Sequence, residues 1–178
     1  MSITFNTTLV VQFGNGDGTF QPPQVLVTIG LNSTIFAVSI GDFNNDGSPD
    51  FAVEEGGVIE VLVGNGRGGF VSKGSFPESE LSSFAFVSAL LLADFNGDGL
   101  LDVAAADGFD DNVPVLLGNG DGTLGEPRLI VGGGHTAAAV SADFNADGRP
   151  DIALATTAPT ARPDSAGEVI LLVNTTPK

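Results

Sequence analysis

The sequence repeats one nine-residue acidic loop three times, and this repeat limits the possible folds more than any other feature. The copies begin at Asp42, Asp94 and Asp143 and share the pattern Asp-Phe-Asn-x-Asp-Gly-x-x-Asp. Oxygen-bearing side chains occupy positions 1, 3, 5 and 9, and glycine occupies position 6, which is the ligand spacing of a calcium-binding loop. Because the copies recur about every fifty residues, the pattern indicates stacked structural units.

Each loop offers a set of oxygen ligands for Ca²⁺, which takes about six to eight oxygen atoms. We expect the side chains at positions 1, 3, 5 and 9 to bind, the last with both oxygens, together with the main-chain carbonyl of position 7. The predicted ligands are Asp42, Asn44, Asp46, Ser48 and Asp50; Asp94, Asn96, Asp98, Leu100 and Asp102; and Asp143, Asn145, Asp147, Arg149 and Asp151. The sequence therefore predicts about three Ca²⁺ ions per chain. The alternative is a set of Asx-rich turns without metal.

The charge balance favours cations as partners. Lys and Arg number 6 against 22 Asp and Glu, and the formal net charge is -16. So acidic a chain repels nucleic acid and anionic membrane surfaces, and no stretch reaches the length of a transmembrane segment. We expect neither nucleic-acid binding nor membrane insertion. The absence of cysteine excludes disulfides, thiolate metal sites and thiol nucleophiles.

A second motif, Gly-Asn-Gly followed by a charged residue and glycine, alternates with the acidic loops. It begins at Gly14, Gly64 and Gly118. Asn-Gly and Asp-Gly between apolar runs predict tight β-hairpins, because both dipeptides tolerate positive φ. Arg67 replaces the aspartate in the second copy, which argues against these turns as metal sites. A degraded fourth copy near Asn174 has lost its glycines.

Short β-branched runs bounded by Gly, Pro, Asn or Asp separate these motifs, and we expect almost no helix. One unit is four strands, and four-stranded antiparallel units of about fifty residues are typical of β-propeller blades. The predicted division is a partial blade with only its last two strands at 1–33, blades at 34–80 and 81–131, and a blade without its last strand at 132–178. About three to three-and-a-half blades are too few for a ring. We expect a homodimer that completes it, or a sequence cut from a longer one.

Other residues give weaker predictions. The phenylalanine at position 2 of each loop (Phe43, Phe95, Phe144) is expected to pack in the core. Asp107, Asp110 and Asp111 are expected to form a solvated acidic turn. His135 is not expected to be catalytic, and no nucleophile elbow or acid–base pair is present, so the sequence indicates a protein that is not an enzyme.

The two alternating motifs together resemble FG-GAP/VCBS repeats, the blades of integrin-α-like β-propellers that are abundant in bacterial surface and secreted proteins. The resemblance extends from about Val10 to Asn174. It implies an all-β fold in which each calcium loop joins the first two strands of a blade, with the ligands named above. The chain departs from the family pattern in its few blades, in a first unit without a calcium loop and in a last hairpin without glycines.

The resemblance implies an extracellular or cell-surface protein, although no signal peptide precedes the first strand. The leading hypothesis is a non-enzymatic module with structural calcium, used for adhesion or for recognition of a protein or glycan. One alternative is a lectin with a sugar site in each blade, which the absence of Trp and Tyr argues against. Others are an accessory domain of a secreted enzyme and an excised or engineered propeller fragment without activity of its own.

Overall fold

The computed structural model describes residues 6–31, 34–55, 57–77, 87–108, 111–132, 134–157 and 167–175. Every regular element among them is a β-strand, so the predicted all-β class is confirmed. In the same residues there is no helix with the length and hydropathy required to span a membrane. The chain divides into two compact units, Met1–Ile35 and Phe36–Lys178.

The first unit contains one antiparallel hairpin of β1 (Asn6–Val11) and β2 (Gln24–Leu31). Its turn is the first Gly-Asn-Gly motif, closed by a bridge between Gly14 and Phe20. Within the turn, Asn15 N donates to Thr19 O at 2.9 Å and Thr19 N donates to Asp17 Oδ1 at 2.9 Å. The predicted hairpin is confirmed, and the same bonds recur in the turn that begins at Gly118.

The second unit contains three antiparallel sheets, each in simple sequential strand order. The first sheet consists of β3 (Ile35–Gly41), β4 (Asp50–Glu55), β5 (Val58–Gly64) and β6 (Phe70–Pro77). The second consists of β7 (Val87–Ala93), β8 (Asp102–Asp107), β9 (Asn112–Gly118) and β10 (Leu124–Val131). The third consists of β11 (Thr136–Ala142), β12 (Asp151–Thr156) and β13 (Glu168–Leu172). The four-stranded antiparallel units expected of propeller blades are thereby confirmed.

The three sheets of the second unit are held together by two hydrophobic junctions. Strand β8 shows the principle, because alternate residues of a strand point to opposite faces. Val103 and Ala105 belong to the core cluster shared with the first sheet, and Ala104 and Ala106 belong to the cluster shared with the third. All six residues of β8 are buried, which explains an apolar run without polar alternation. Small alanines let the neighbouring sheets approach closely.

The turn after β9 locks the second sheet onto the first. Gly122 N donates to Phe43 O at 3.1 Å, and Leu124 is buried in the cluster between the two sheets. Gly118 begins this turn, and a Cβ there would lie 2.2 Å from Leu101 O. Because backbone cannot yield to such a contact, glycine is required at this position.

Two predictions about single residues are wrong. Phe43 and Phe95 are 3% and 9% exposed, as expected of core residues, but Phe144 is 48% exposed because no described sheet follows the third one. Asp107 was expected in a solvated turn, but it is fully buried at the end of β8. Asp111 is exposed, and Asp110 lies outside the described residues.

Candidate metal centre

The first three predicted ligand side chains of each acidic loop come together at its exposed tip. In the first loop, Asp42 Oδ2 accepts a hydrogen bond from Gly47 N at 2.8 Å, and Asn44 Oδ1 accepts one from Asp46 N at 3.0 Å. Asp46 Oδ1 accepts from Ser48 N at 2.7 Å. These short-range bonds fold the loop around its own carboxylates and hold their oxygens on one side of the chain.

The same bonds recur in the other two loops. Asp94 Oδ2 accepts from Gly99 N at 2.8 Å, and Asp143 Oδ2 accepts from Gly148 N at 2.8 Å. Asn96 Oδ1 accepts from Asp98 N, and Asn145 Oδ1 accepts from Asp147 N, both at 2.9 Å. The repeat in sequence is therefore a repeat in geometry.

The ninth residue of each loop lies apart from the exposed group. Asp50 is fully buried; its Oδ2 accepts from Phe43 N and its Oδ1 accepts from Gly64 N, both at 2.8 Å. One carboxylate thus ties the loop to the end of β5. Asp102 makes the equivalent bonds to Phe95 N and Gly118 N, and Asp151 to Phe144 N and Asn174 N. Each oxygen that accepts one N–H keeps a further lone pair.

Two positions in each loop have a left-handed backbone, and the sequence revealed only one of them. Position 6 is always glycine, with φ of 80°, 84° and 84° at Gly47, Gly99 and Gly148. Position 4 is also left-handed, with φ of 57° at Asn45, 79° at Gly97 and 60° at Ala146. Asn and Gly tolerate this conformation, whereas alanine is strained in it. Asn45 and Gly97 are typical of a left-handed position, but Ala146 is not. The three loop sequences together therefore did not indicate that position 4 is left-handed.

The electrostatic surroundings of the carboxylates differ among the three loops. Hydrogen bonds from the Asn44 side chain and from Ser48 lower the pKa of Asp46, which keeps this exposed carboxylate ionised. In the third loop, Arg149 Nη1 lies 3.3 Å from Asp147 Oδ2 and supplies a positive charge of its own. At the buried ninth position, desolvation raises the pKa of Asp102. The two hydrogen bonds that it accepts from Gly118 N and Phe95 N lower this pKa, but by less than desolvation raises it.

The donor set fits a hard cation. Asp42, Asn44 and Asp46 bring oxygen atoms only, and oxygen is the ligand that Ca²⁺ prefers. Within the described residues, no three His, Cys, Asp or Glu side chains already form a metal-binding group.

A separate acidic pair lies at the first junction and was not predicted. Glu54 on β4 is 1% exposed; its Oε1 accepts from Gly57 N at 2.9 Å, while its Oε2 has no hydrogen-bond partner among the described residues. Burial raises the pKa of Glu54, and the negative charge of Asp107 adds to the increase. Glu54 ends an otherwise apolar strand, so its sequence context gave no indication of this environment.

A groove of about 500 Å³ lies between the second and third sheets. Phe95, Val115 and Ile130 line it together with Asn96 and Arg128. At the first junction the corresponding space is filled by the turn that carries Gly122 and Leu124. The groove is thus a mainly apolar cleft with the Arg128 guanidinium and the amides of Asn96 and Asn174 at its wall.

Comparisons with known proteins agree with this architecture. The family model described as FG-GAP-like repeat matches residues 1–53 and 94–154. No curated protein matches the sequence. Among solved structures, a lectin from Agrocybe aegerita, described by its specific recognition of non-reducing terminal N-acetylglucosamine, aligns with a TM-score of 0.57 at 18% identity. The alignment covers 96% of this chain and 53% of the lectin chain, so this chain spans about half the length of that relative.

Proposed function

Because the chain belongs to the FG-GAP-like repeat family, we propose that it is a non-enzymatic calcium-binding β-propeller module in which calcium has a structural role. Three Ca²⁺ ions per chain bind at the tips of the acidic loops. The side chains at positions 1, 3 and 5 and the position 7 carbonyls of Ser48, Leu100 and Arg149 provide the ligands. The ninth residues, Asp50, Asp102 and Asp151, add an oxygen from beneath and link the ion to the sheet.

One observation supports this proposal above the others: all three loops direct the same three oxygen-bearing side chains to one place by the same hydrogen bonds. Turns that served only to reverse the chain would not need two aspartates at positions 1 and 5 of the same loop, because nearby like charges destabilise a loop unless a cation neutralises them. The Gly-Asn-Gly turns of the same chain reverse direction with one aspartate or none.

The test is a calcium titration with a matched pair of variants. Asp98→Ala removes a predicted ligand from the second loop, and Asp121→Ala removes another exposed aspartate, from the Gly-Asn-Gly turn. We expect Asp98→Ala to lower the number of bound ions by about one and Asp121→Ala to leave it unchanged, as measured by equilibrium dialysis. EDTA should lower the Tm of the unsubstituted chain by more than about 10 °C. An unchanged Tm, with no ion bound, would contradict a structural role for calcium.

The concentration of calcium bears on where the protein works. Extracellular modules bind calcium with Kd values of about 0.1–1 mM. At about 2 mM calcium and a Kd of about 0.1 mM, each site adds roughly 1.8 kcal/mol to the free energy of unfolding. Cytosolic calcium is too dilute to fill such sites. We therefore propose an extracellular or cell-surface location and a role in adhesion or in recognition of a protein or glycan.

Glycan recognition is the more specific candidate. The structural likeness to the Agrocybe aegerita lectin extends over nearly the whole chain, although at this identity it supports the fold and not the ligand. The groove beside Phe95 offers an apolar wall next to Asn96 and Arg128. A glycan array at saturating calcium tests this candidate, with Arg128→Ala as the groove variant and Arg67→Ala as its control. We expect Arg128→Ala to abolish glycan binding and Arg67→Ala to leave it unchanged. Loss of binding in both variants would exclude the groove as the sugar site.

We also propose that a second copy of the chain completes the propeller ring. The three described sheets of the second unit give six in a pair, within the usual range of about four to eight blades.

A further inference from the structure

The third sheet exposes an apolar face whose counterparts in the first two sheets are buried. Ala139 on β11, Ile152 on β12 and Ile170 on β13 pack against the second sheet. Since side chains alternate along a strand, their neighbours Val140, Ala153 and Leu171 form the opposite face. These three residues are cross-strand partners in one row. Val140 is 58% exposed, and none of the exposed residues described on this face is charged.

Such a face is unusual in a chain with a net charge of -16. A contiguous apolar patch exposed on a protein surface marks an interaction site. Phe144 continues the same face at the acidic loop, and the equivalent residues Phe43 and Phe95 are both covered by the following sheet. In the first two sheets, the equivalent face is therefore covered by the next sheet of the repeat.

The first sheet carries the complementary side. Ala37 packs toward the second sheet, and Ser39 Oγ donates to Leu90 O at 2.6 Å across that junction. Val38 and Ile40 alternate with them and therefore lie on the other side of β3. Ile40 is 62% exposed and Val38 is 38% exposed. In the second sheet the residue that corresponds to Val38 is Leu90, which is buried at the first junction.

We propose that the face of the third sheet containing Val140 and Phe144 packs against Val38 and Ile40 of the first sheet in a second copy of this chain. This inference rests on the proposed pairing of two copies and identifies its contact surface. It continues the junctions already formed by the first and second sheets and by the second and third. Each copy provides both sides, so the contact forms twice and closes the pair.

The test uses charge substitutions on the two sides of this contact. Multi-angle light scattering at saturating calcium should give the unsubstituted chain twice its mass of 18.0 kDa. Val140→Lys and Ile40→Glu should each give a monomer with unchanged β-sheet circular dichroism, because each places a charge against an apolar side chain twice per dimer. Val131→Lys is the matched control, since Val131 is 73% exposed on β10 of the second sheet, and it should remain dimeric.

Mixing the two monomeric variants sharpens the test. In a mixed pair, the introduced lysine of one copy faces the introduced glutamate of the other at one junction, and the second junction keeps the original residues. The mixture should therefore recover the dimer mass. A Val140→Lys chain that stays dimeric, or a mixture that stays monomeric, would overturn the assigned surface while leaving a dimer possible through another surface. A monomeric unsubstituted chain would overturn both the contact and the pairing, and it would leave the calcium titration unaffected.

Discussion

The first two acidic loops and the third have the same internal geometry but different surroundings. In all three, the N–H of the phenylalanine at position 2 donates to the last aspartate, at 2.8, 2.8 and 3.1 Å. Yet Phe43 and Phe95 lie in hydrophobic junctions, and Phe144 is half exposed. The nine residues are thus sufficient to shape the loop, whereas the burial of its aromatic ring depends on the sheet that follows.

The largest expected difference between these regions is the cost of removing the ring. Phe43→Ala should lower the free energy of unfolding by about 3–5 kcal/mol, because it leaves a cavity in the first junction. Phe144→Ala, measured in the monomeric Val140→Lys chain, should cost less than about 1 kcal/mol, because an exposed ring leaves no cavity. Urea denaturation at saturating calcium measures both values. Equal costs for the two substitutions would show that the exposed ring is covered within one chain.

The next expected difference concerns Glu54 at the first junction. The equivalent residue in the second sheet is Ala106, four positions after the last loop aspartate. Because the folded pKa of Glu54 is raised, its protonated form stabilises the fold fully below the pKa of the unfolded chain, and this stability is lost as pH rises through the folded pKa.

Glu54→Gln should therefore increase the free energy of unfolding by about 1–3 kcal/mol at pH 8, the usual cost of a buried unsatisfied group, and by much less near pH 4. Thermal unfolding of both proteins across this pH range measures the difference. Glu60→Gln on the neighbouring strand is the control for a general charge effect. A gain that does not depend on pH would contradict the raised pKa.

A smaller difference is expected at position 4 of the loops. Ala146 has φ of 60° where the second loop has Gly97, and a left-handed backbone costs a non-glycine residue about 1–2 kcal/mol. Ala146→Gly should increase the free energy of unfolding by about 1 kcal/mol, offset in part by the greater freedom of glycine in the unfolded chain. Gly97→Ala should have the opposite effect. Chemical denaturation measures the free energy of unfolding of both variants. Changes of the same sign would contradict backbone strain at Ala146.

The smallest expected difference is at position 7. Arg149 forms an ion pair with Asp147, and the second loop has Leu100 at this position. Exposed ion pairs contribute about 0–1 kcal/mol, so Arg149→Leu should tighten calcium binding at the third loop by at most about fivefold. Isothermal titration calorimetry of this variant and of Leu100→Arg, which should weaken the second site, provides a matched pair. An affinity that both substitutions change in the same direction would contradict a role for the ion pair.

The sequence predicted the features that depend on local chemistry. Loops, Gly-Asn-Gly turns and strands follow from short-range hydrogen bonds, positive φ and alternation, and Asp42, Asn44 and Asp46 come together as their spacing indicated. Calcium binding by the loops, the ninth aspartate included, stays a prediction. Spacing alone did not reveal that Asp50 accepts two N–H groups, one from its own loop and one from the end of β5.

Features that depend on neighbouring sheets could not be predicted in the same way. Asp107 and Phe144 occupy sequence contexts typical of a polar turn and of a core position, and the structure reverses both expectations. Their environments are set by the first sheet in one case and by the absence of a described following sheet in the other. A single sequence carries no direct record of such long-range packing.

The bond from Gly122 N to Phe43 O gives the stack a polarity, because the turn of each later sheet attaches to the loop of the one before it. At the next junction, Asn174 Nδ2 donates to Phe95 O in the same sense. A series of head-to-tail contacts closes into a ring only when the rotation between units brings the last unit back to the first. If the angle between sheets changed by a few degrees, for example through a bulkier residue in place of Ala104, the same contact would add chain after chain into a filament. Closure of the proposed ring would therefore depend on the small side chains in β8 as much as on the loops.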